Sequence, residues 1–396
     1  MSVTTDAGPS VREVSVGSGA KVAAAGAAPR AFLEGGHALA EAAIQAGCRF
    51  YCGYPMTPST EVLEYMARRM PEVGGVCINV ESEIEGINMV WGAAGAGVRA
   101  MIASTTNGMS LMQESLSEVV LGRIPAVVVN MGRGQGDYFQ CTRGGGHGSH
   151  RMIVLAPASA QEAVDTAYRA FHLAEKWRHP VLIYGDFILS HTSETVCLTP
   201  PPDTLEPLPE KTWATTGARG RPPRLLTSLG MRSEDAEPHA GIGPGEHGVD
   251  TTRPMREAVE RHREIAARET RVETAWLDDA ELVVSAFGVL GRFARFAAKL
   301  AREEGLRVGY VRPYTLVPFP YAKYAELGAR GVPVAVFENN AGQMVQDVRL
   351  GVEGRAPVHF IGEISMDGSG FGVGPKIDAL HILERLREVY PRRSAA

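Results

Sequence analysis

The chain has 396 residues, of which 44% are hydrophobic and 21% charged, with a formal net charge of -5. This is the composition of a globular protein with room for two or three domains. It lacks the strongly basic balance of a nucleic-acid-binding protein, and no apolar run approaches the roughly 18 residues that a membrane span needs.

Residues 1–30 are rich in glycine, alanine and serine and lack the continuous apolar block of a signal peptide. We expect a flexible arm here. The five cysteines are too few for a disulfide framework, and none form a C-x-x-C pair. A complete zinc or iron–sulfur site within this chain is therefore not expected, and the cysteine usage fits a reducing cytoplasm.

From residue 31 to residue 198, short apolar runs alternate with helical segments. The apolar runs are CRFYCGYP, GVCINVE, RAMIAST, PAVVVNMG, MIVLAPA and PVLIYGD. One of the intervening segments predicts a helix from Met109 to about Leu121. Strands that are apolar on both faces and separated by helices indicate a parallel sheet covered on both sides.

The composition changes between residues 199 and 273, where proline, arginine and glycine accumulate and an irregular linker is expected, closed by the helical stretch REAVERHREIAARE. Alternating strand and helix patterns resume over residues 274–396, which is enough for a second small domain. The sequence thus predicts an α/β protein with two parallel-sheet domains.

Glu83 opens a predicted helix directly after an apolar strand. This is the carboxyl edge at which open α/β sheets bind their ligands. The acidic run ESEIE would also complement a helix dipole without any catalytic role. The sequence alone does not distinguish Glu83 from Glu81 and Glu85.

The segment YPMTPST has two prolines that bracket Met56 and Thr57 and restrict the backbone. Such rigidity would hold the Thr57 hydroxyl in one place, as a substrate-positioning donor requires. The alternative is a plain helix start in which Ser59 or Thr60 is the N-cap. The two interpretations are compatible.

Arg133 follows the apolar run PAVVVNM and precedes a glycine-rich loop. Its guanidinium could bind a substrate carboxylate through two hydrogen bonds, or it could simply be solvated. The loop, RGQGDYFQCTRGGGHGSHR, has the composition of a mobile lid. His147 and His150 lie in it without the carboxylates that a metal or acid–base role would favour. The chain has no G-x-x-x-x-G-K-S/T phosphate loop and no G-x-G-x-x-G after a strand.

Together these segments resemble the α subunit of 2-oxoacid:ferredoxin oxidoreductases. The matching segments are GYPMTPST, VESEIEGINMVWGAAGAGVRAMIASTTNGMSLM, GDYFQCTRGGGHG, VRPYTLVPFP and ENNAGQMVQDVRLGVEG. The resemblance extends over about residues 31–390, except for residues 199–273. It implies a thiamine diphosphate pyrimidine-binding domain at 31–198 and a transketolase C-terminal-like domain at 274–396.

The resemblance also implies roles for individual residues. Glu83 matches the catalytic glutamate that hydrogen-bonds the aminopyrimidine ring and so activates the cofactor, which serves as the electron sink for decarboxylation. Thr57 matches the catalytic threonine beside the substrate, and Arg133 matches the arginine that meets the substrate carboxylate. The other cofactor-binding residues implied are Tyr54, Pro55 and Met56.

In this family the diphosphate, its Mg²⁺ ion and a 4Fe–4S cluster lie on a β subunit. The chain correspondingly lacks the G-D-G and asparagine pair by which thiamine enzymes bind metal and diphosphate. The partners implied are this β subunit, a γ subunit, ferredoxin and coenzyme A. The reaction implied is oxidative decarboxylation of a 2-oxoacid to an acyl-CoA, with electrons passing through iron–sulfur clusters to ferredoxin.

The substrate is less closely specified. Only three residues separate Arg133 from Asp137, fewer than in members that use branched-chain 2-oxoacids, so the pocket is expected to differ in shape. Thr57, where oxalate-type variants carry arginine, argues against a dianionic substrate of that kind. A branched-chain or aromatic 2-oxoacid is favoured. The alternatives are 2-oxoglutarate, which requires a further cation, and a non-catalytic assembly subunit with a thiamine-type fold.

Overall fold

A computed structural model describes residues 12–13, 30–148, 150–217, 252–368, 370, 374 and 377–391. The chain divides into two compact units. The N-terminal unit comprises residues 25–133 and 139–262, and the C-terminal unit comprises residues 1–24, 134–138 and 263–396. Except for residues 12–13 and 30, the expected N-terminal arm lies outside the described residues, as do residues 218–251 of the expected linker.

Both units combine strands with helices, as the sequence predicts. Within the described residues, the strands are β1 (Arg12–Glu13), β2 (Arg30–Glu34), β3 (Phe50–Gly53), β4 (Val76–Asn79), β5 (Ala100–Ser104), β6 (Val127–Gly132), β7 (Ile153–Leu155), β8 (Val181–Asp186), β9 (Ser193–Cys197), β10 (Arg271–Ala275), β11 (Leu282–Ser285), β12 (Val308–Pro313), β13 (Thr315–Val317), β14 (Val334–Val336) and β15 (Val358–Phe360). The α-helices are α1 (Gly35–Gln45), α2 (Thr60–Arg69), α3 (Glu83–Gly95), α4 (Thr106–Leu111), α5 (Gln113–Leu121), α6 (Tyr138–Thr142), α7 (Ala160–Trp177), α8 (Phe187–His191), α9 (Thr252–Glu269), α10 (Gly288–Glu303), α11 (Tyr321–Ala329), α12 (Met344–Val352) and α13 (Ala379–Val389). None of these helices is both long and apolar enough to cross a membrane.

The N-terminal unit is built on six parallel strands in the order β7–β8–β6–β5–β3–β4. Strands β5, β6 and β8 are buried along their whole length, which explains why their sequences are apolar on both faces. Helices α1 and α7 pack together, and β2 pairs with β9 in a separate antiparallel ribbon.

The predicted helix from Met109 to Leu121 is in fact two helices, α4 and α5, joined at Met112. The backbone of Met112 has ψ near -9°, outside the range of a regular helix. Because neither glycine nor proline occupies this position, the break is set by tertiary packing and not by local propensity.

The C-terminal unit contains a sheet in the order β1–β10–β12–β11–β14–β15. Its central pairs are parallel, and β10 runs antiparallel to β12. Helices α10 and α13 pack together over this sheet. The core includes Leu282 and Val284 from β11, Leu290 and Ala294 from α10, and Leu386 from α13. The alternating strand and helix patterns of the sequence thus correspond to a mostly parallel sheet.

Candidate functional site

The residues proposed from the sequence follow neighbouring strands of the N-terminal sheet. The segment from Tyr54 to Thr60 follows β3, Glu83 is the first residue of α3 after β4, and Arg133 directly follows β6. Ser104 is the last residue of β5, which lies between β3 and β6. Since these four strands are parallel, all of these residues lie at one edge of the sheet, where α/β folds bind ligands.

Glu83 is a buried carboxylate, with only 2% of its surface exposed. The Ser104 hydroxyl donates a hydrogen bond of 2.6 Å to its Oε1 atom. Its other oxygen, Oε2, accepts no hydrogen bond from any residue that the structure describes. A buried carboxylate is stabilised only when its oxygens are hydrogen-bonded or paired. One oxygen of Glu83 is therefore held in place, and the other is available to a ligand.

Helix α4 approaches this carboxylate unusually closely. A side chain at Gly108 would overlap Ser104 Oγ and both Glu83 Oε1 and Cδ. A glycine is therefore needed at position 108 because the helix lies so close to Ser104 and Glu83, and not because glycine has a freer backbone. Sequence reasoning did not identify Ser104 or Gly108, although both lie in the segment RAMIASTTNGMSLM that carries the family resemblance.

The three neighbouring carboxylates differ in how deeply they are buried. Glu81 and Glu85 are exposed, whereas Glu83 is buried. The Glu81 backbone N–H donates to the Glu85 carboxylate at 3.2 Å, and Ser82 caps α3 by accepting from the Ile84 N–H. Glu81 and Glu85 thus have the exposed environment expected of acidic residues that only complement a helix dipole. Glu83 does not, because it is buried.

The segment from Tyr54 to Thr60 is a structured loop. Tyr54, Met56 and Thr57 are half-buried and Pro55 is exposed. The Ser59 hydroxyl donates to the Met56 carbonyl at 2.7 Å. Ser59 occupies the N-cap position of α2 but makes no side-chain cap hydrogen bond. Its hydroxyl therefore fixes the loop that carries Thr57 instead of capping the helix.

Arg133 is half-buried, and the five residues that follow it belong to the C-terminal unit. Gln135 fixes this segment there: its side chain donates to the Phe287 carbonyl at 3.0 Å and accepts from the Asn339 N–H at 3.1 Å. The Asn340 side chain donates to the Gln135 carbonyl at 2.9 Å. The short loop after Arg133 is thus held by buried hydrogen bonds.

Glu338 organises the residues that hold this segment. It is fully buried and accepts hydrogen bonds from the N–H groups of Met344 and Val345, at 2.7 and 2.9 Å, and from the Asn340 side chain at 2.9 Å. Burial raises the pKa of Glu338, while these donors oppose that shift. The motif ENNAGQ supported the family resemblance, but its structural role in placing Gln135 was not apparent from the sequence.

The glycine-rich segment after Tyr138 contacts α5. The Ser117 hydroxyl accepts from the His147 backbone N–H at 2.9 Å and lies 3.2 Å from His150 Nδ1. His147 pairs with Glu118 at 3.0 Å. Burial lowers the pKa of His150. Among the described residues, no group of three or more His, Cys, Asp and Glu side chains could hold a metal ion.

A second polar group at this sheet edge also lacks a partner among the described residues. Thr105 directly follows Ser104 and is fully buried, yet within the part of the chain that the structure describes its Oγ1 atom has no hydrogen-bond partner and does not cap α4. Buried polar groups without partners are uncommon and call for an explanation. Together with Glu83 Oε2, Thr105 makes this edge suited to a ligand that bears both hydrogen-bond donors and acceptors.

Comparison with known families covers most of the chain. Residues 41–225 match the family described as "pyruvate flavodoxin/ferredoxin oxidoreductase, thiamine diP-bdg". Residues 280–371 match the family described as "pyruvate:ferredoxin oxidoreductase core domain II". The first match includes the whole sheet edge described above.

Individual proteins of known type match the chain over more of its length than the two family models do. The chain is 37% identical over 367 residues to ketoisovalerate oxidoreductase subunit VorB of Methanothermobacter thermautotrophicus, covering 90% of this chain and 97% of that protein. It is 37% identical over 337 residues to 2-oxoglutarate synthase subunit KorA of Methanocaldococcus jannaschii, covering 80% and 90%, respectively. A solved 2-oxoglutarate:ferredoxin oxidoreductase from Magnetococcus marinus, with 2-oxoglutarate, coenzyme A and succinyl-CoA bound, superposes with a TM-score of 0.76 at 25% identity, covering 91% of this chain and 65% of that longer chain.

Proposed function

Since the chain belongs to the 2-oxoacid:ferredoxin oxidoreductase family, we propose that it is the subunit that binds the pyrimidine ring of thiamine diphosphate. The observation that carries this proposal is the buried Glu83 carboxylate, with Oε1 held by Ser104 and Oε2 available. A carboxylate in this state can accept a hydrogen bond from a ring nitrogen and retain its position while doing so.

The division of the chain follows from the same proposal. Residues 31–198 are the pyrimidine-binding domain, residues 274–396 are the transketolase C-terminal-like domain, and residues 199–273 connect them. The diphosphate, its Mg²⁺ ion and a 4Fe–4S cluster belong to a β subunit. A γ subunit and ferredoxin receive the electrons, and coenzyme A receives the acyl group.

Each of the proposed site residues of this chain then has its own role. When bound, the cofactor supplies the nucleophilic carbon and the electron sink for decarboxylation. Glu83 binds and activates the aminopyrimidine ring, and Tyr54, Pro55 and Met56 line the cofactor. Thr57 positions the 2-oxoacid.

Arg133 binds the carboxylate of the 2-oxoacid. A guanidinium can bind both carboxylate oxygens at once, which fixes the orientation of the substrate as well as its position. The buried hydrogen bonds of Gln135 with Phe287, Asn339 and Asn340 restrict the chain directly after this arginine. Pre-organisation of this kind lowers the entropy cost of orienting a substrate.

The favoured substrate is a branched-chain or aromatic 2-oxoacid. The 37% identity to a ketoisovalerate oxidoreductase subunit supports a branched aliphatic side chain. The second candidate is 2-oxoglutarate, which is supported by the equally identical 2-oxoglutarate synthase subunit. Initial rates of ferredoxin reduction with 2-oxoisovalerate, phenylpyruvate and 2-oxoglutarate distinguish these substrates, and the highest kcat/KM identifies the physiological class.

The central test replaces Glu83 with glutamine in the assembled enzyme. Glu83→Gln preserves size but removes the negative charge, so turnover should fall by a factor on the order of 100 or more while assembly is retained. The matched controls are Glu81→Gln and Glu85→Gln, which alter the exposed carboxylates two residues before and after Glu83. Undiminished turnover in Glu83→Gln would favour a non-catalytic assembly subunit. An equal loss in either control would show that the catalytic role does not belong to Glu83 alone.

A further inference from the structure

The C-terminal unit has a surface pocket that the proposed function does not use. Its volume is about 330 Å³. Two aromatic and three cationic side chains line it: Trp276, Arg292, Arg295, Phe296 and Lys299. Small-molecule sites combine apolar walls with a few polar groups in pockets of roughly 300–1,000 Å³. This pocket has both properties and lies at the small end of that range.

Helix α10 contributes four of the five lining residues. Arg292, Arg295, Phe296 and Lys299 are spaced at i, i+3, i+4 and i+7, so they share one face of the helix. The opposite face packs into the core of the unit through small and aliphatic side chains. Phe296 is 52% exposed although its helix is otherwise well buried on its apolar side. The outward face thus presents an aromatic ring among cations.

Trp276 forms the other wall of the pocket. It directly follows β10 and has a φ of 54°, a left-handed conformation that bulky residues rarely adopt. Its carbonyl oxygen lies against Gly309, where any added Cβ would be only 2.9 Å away. The indole is 38% exposed, and the Arg302 guanidinium lies 6.0 Å from the ring centroid. The backbone is therefore held in a costly conformation that leaves the indole at the surface.

The charges that face the pocket are predominantly positive. Glu273 lies 3.5 Å from Arg295, but it is buried and makes a closer hydrogen bond of 2.7 Å with Arg312. Glu303 lies 3.8 Å from Lys299, and both of these side chains are more than half exposed. Exposed ion pairs at such distances are weak. The pair of Lys299 and Glu303 is of this kind, so Lys299 can exchange Glu303 for an anionic ligand. Arg295 shares Glu273 with the closer Arg312.

We propose that this pocket binds a nucleotide, with the base against Trp276 and Phe296 and the phosphates on Arg292, Arg295 and Lys299. Bases stack on aromatic side chains, and arginine and lysine bind phosphate through charge-assisted hydrogen bonds. The volume fits a mononucleotide better than a dinucleotide. A free nucleotide and the nucleotide end of coenzyme A share this chemistry.

The test is calorimetric titration of the assembled enzyme with ADP. We expect saturable binding that Trp276→Ala and Lys299→Gln each weaken by a factor on the order of ten. Trp276→Phe retains an aromatic face and should restore most of the affinity. The controls are Phe32→Ala, an exposed aromatic residue on β2, and Arg355→Gln, an exposed cation of the same unit. Both controls should leave ADP binding unchanged.

Further titrations identify the source of the nucleotide. Competition by coenzyme A but not by pantetheine supports the nucleotide end of coenzyme A as the ligand, whereas ADP binding without such competition supports a free nucleotide. Any one of three titration results overturns the proposal: no saturable ADP binding, ADP binding that is as tight in Trp276→Ala and Lys299→Gln as in the unmodified enzyme, or adenosine binding as tight as ADP binding. Loss of a partner subunit from both variants would also overturn it, because the pocket would then be a subunit interface.

Discussion

The Ser104 hydroxyl donates a hydrogen bond of 2.6 Å to Oε1 of Glu83, and both residues are buried. Ser104 ends β5 and Glu83 begins the helix after β4, two strands away in the sheet. The bond therefore joins the end of a strand to the start of a helix at the carboxyl edge of the sheet. It directs one carboxylate oxygen into the protein and determines which oxygen remains for a ligand.

The first prediction concerns this bond. Ser104→Ala removes the donor and leaves the buried carboxylate without its partner. A hydrogen bond to a charged group contributes about 1.5–3 kcal/mol, so kcat/KM should fall by a factor on the order of 10 to 100. Steady-state kinetics of the assembled enzyme measure this loss, and Ser104→Thr, which keeps the hydroxyl, should recover part of it. Unchanged kinetics in Ser104→Ala would show that Glu83 does not depend on this contact.

The second prediction concerns Gly108. Because a Cβ at this position would overlap Ser104 Oγ and Glu83 Oε1, Gly108→Ala must displace the carboxylate or helix α4. Overpacking of this kind costs about 1–3 kcal/mol of stability, and turnover should fall more steeply than the melting temperature. Gly92→Ala is the matched control, since a Cβ there meets no atom within 4 Å. Equal activity of the two variants would contradict the close approach of α4.

Local sequence patterns predicted much of the fold. The run PAVVVNMG has apolar residues on both faces because its strand, β6, is buried between neighbouring strands and helices. Glu83 could be placed at a helix start because an apolar strand ends just before it. The break at Met112 between α4 and α5 could not be predicted, since no glycine or proline marks it.

The contacts of the candidate site were less accessible to sequence reasoning. The bond between Ser104 and Glu83 spans 21 residues, and the bond between Asn340 and Gln135 spans 205 residues. Such contacts depend on strand order and on which segments belong to which unit, and neither property has a local sequence pattern. The family resemblance indicated Glu83 and Arg133, but it did not show that Ser104 holds the Glu83 carboxylate or that Gln135 holds the segment after Arg133.

The third prediction concerns cofactor binding. The isolated chain should bind thiamine diphosphate weakly or not at all, because it lacks a G-D-G motif followed by an asparagine pair and the diphosphate site is proposed to lie on the β subunit. Calorimetry with Mg²⁺ and the purified chain measures this, with the assembled enzyme as the positive control. Tight one-to-one binding to the isolated chain would rule out the shared site.

The fourth prediction concerns stability and pH. Burial lowers the pKa of His262 to about 4 and that of His179 well below its usual value. The unfolded chain protonates these residues near pH 6.5, whereas the folded chain keeps them neutral at that pH. Their contribution to stability is therefore fully present above pH 6.5 and is lost as the pH falls. For His262 this loss extends toward pH 4, with a limiting slope of about 1.4 kcal/mol per pH unit.

Urea unfolding between pH 7.5 and pH 5 tests this expectation. His262→Gln should make the free energy of unfolding less dependent on pH than in the unmodified chain, because one group no longer takes up a proton on unfolding. The same pH dependence in both proteins would contradict burial of a neutral ring at position 262.

The last prediction concerns Arg133, which we propose binds the carboxylate common to all 2-oxoacids. Arg133→Lys keeps the positive charge but loses the planar pair of donors. We expect a loss of about 1.5–3 kcal/mol in transition-state binding for every 2-oxoacid tested, with little change in cofactor affinity. Arg143→Lys, at an exposed position in the following glycine-rich segment, is the matched control. A loss confined to one substrate would place Arg133 at the variable end of the pocket. No loss with any substrate would assign carboxylate binding to another residue, because a shared carboxylate cannot lose its bidentate partner without affecting every substrate that carries it.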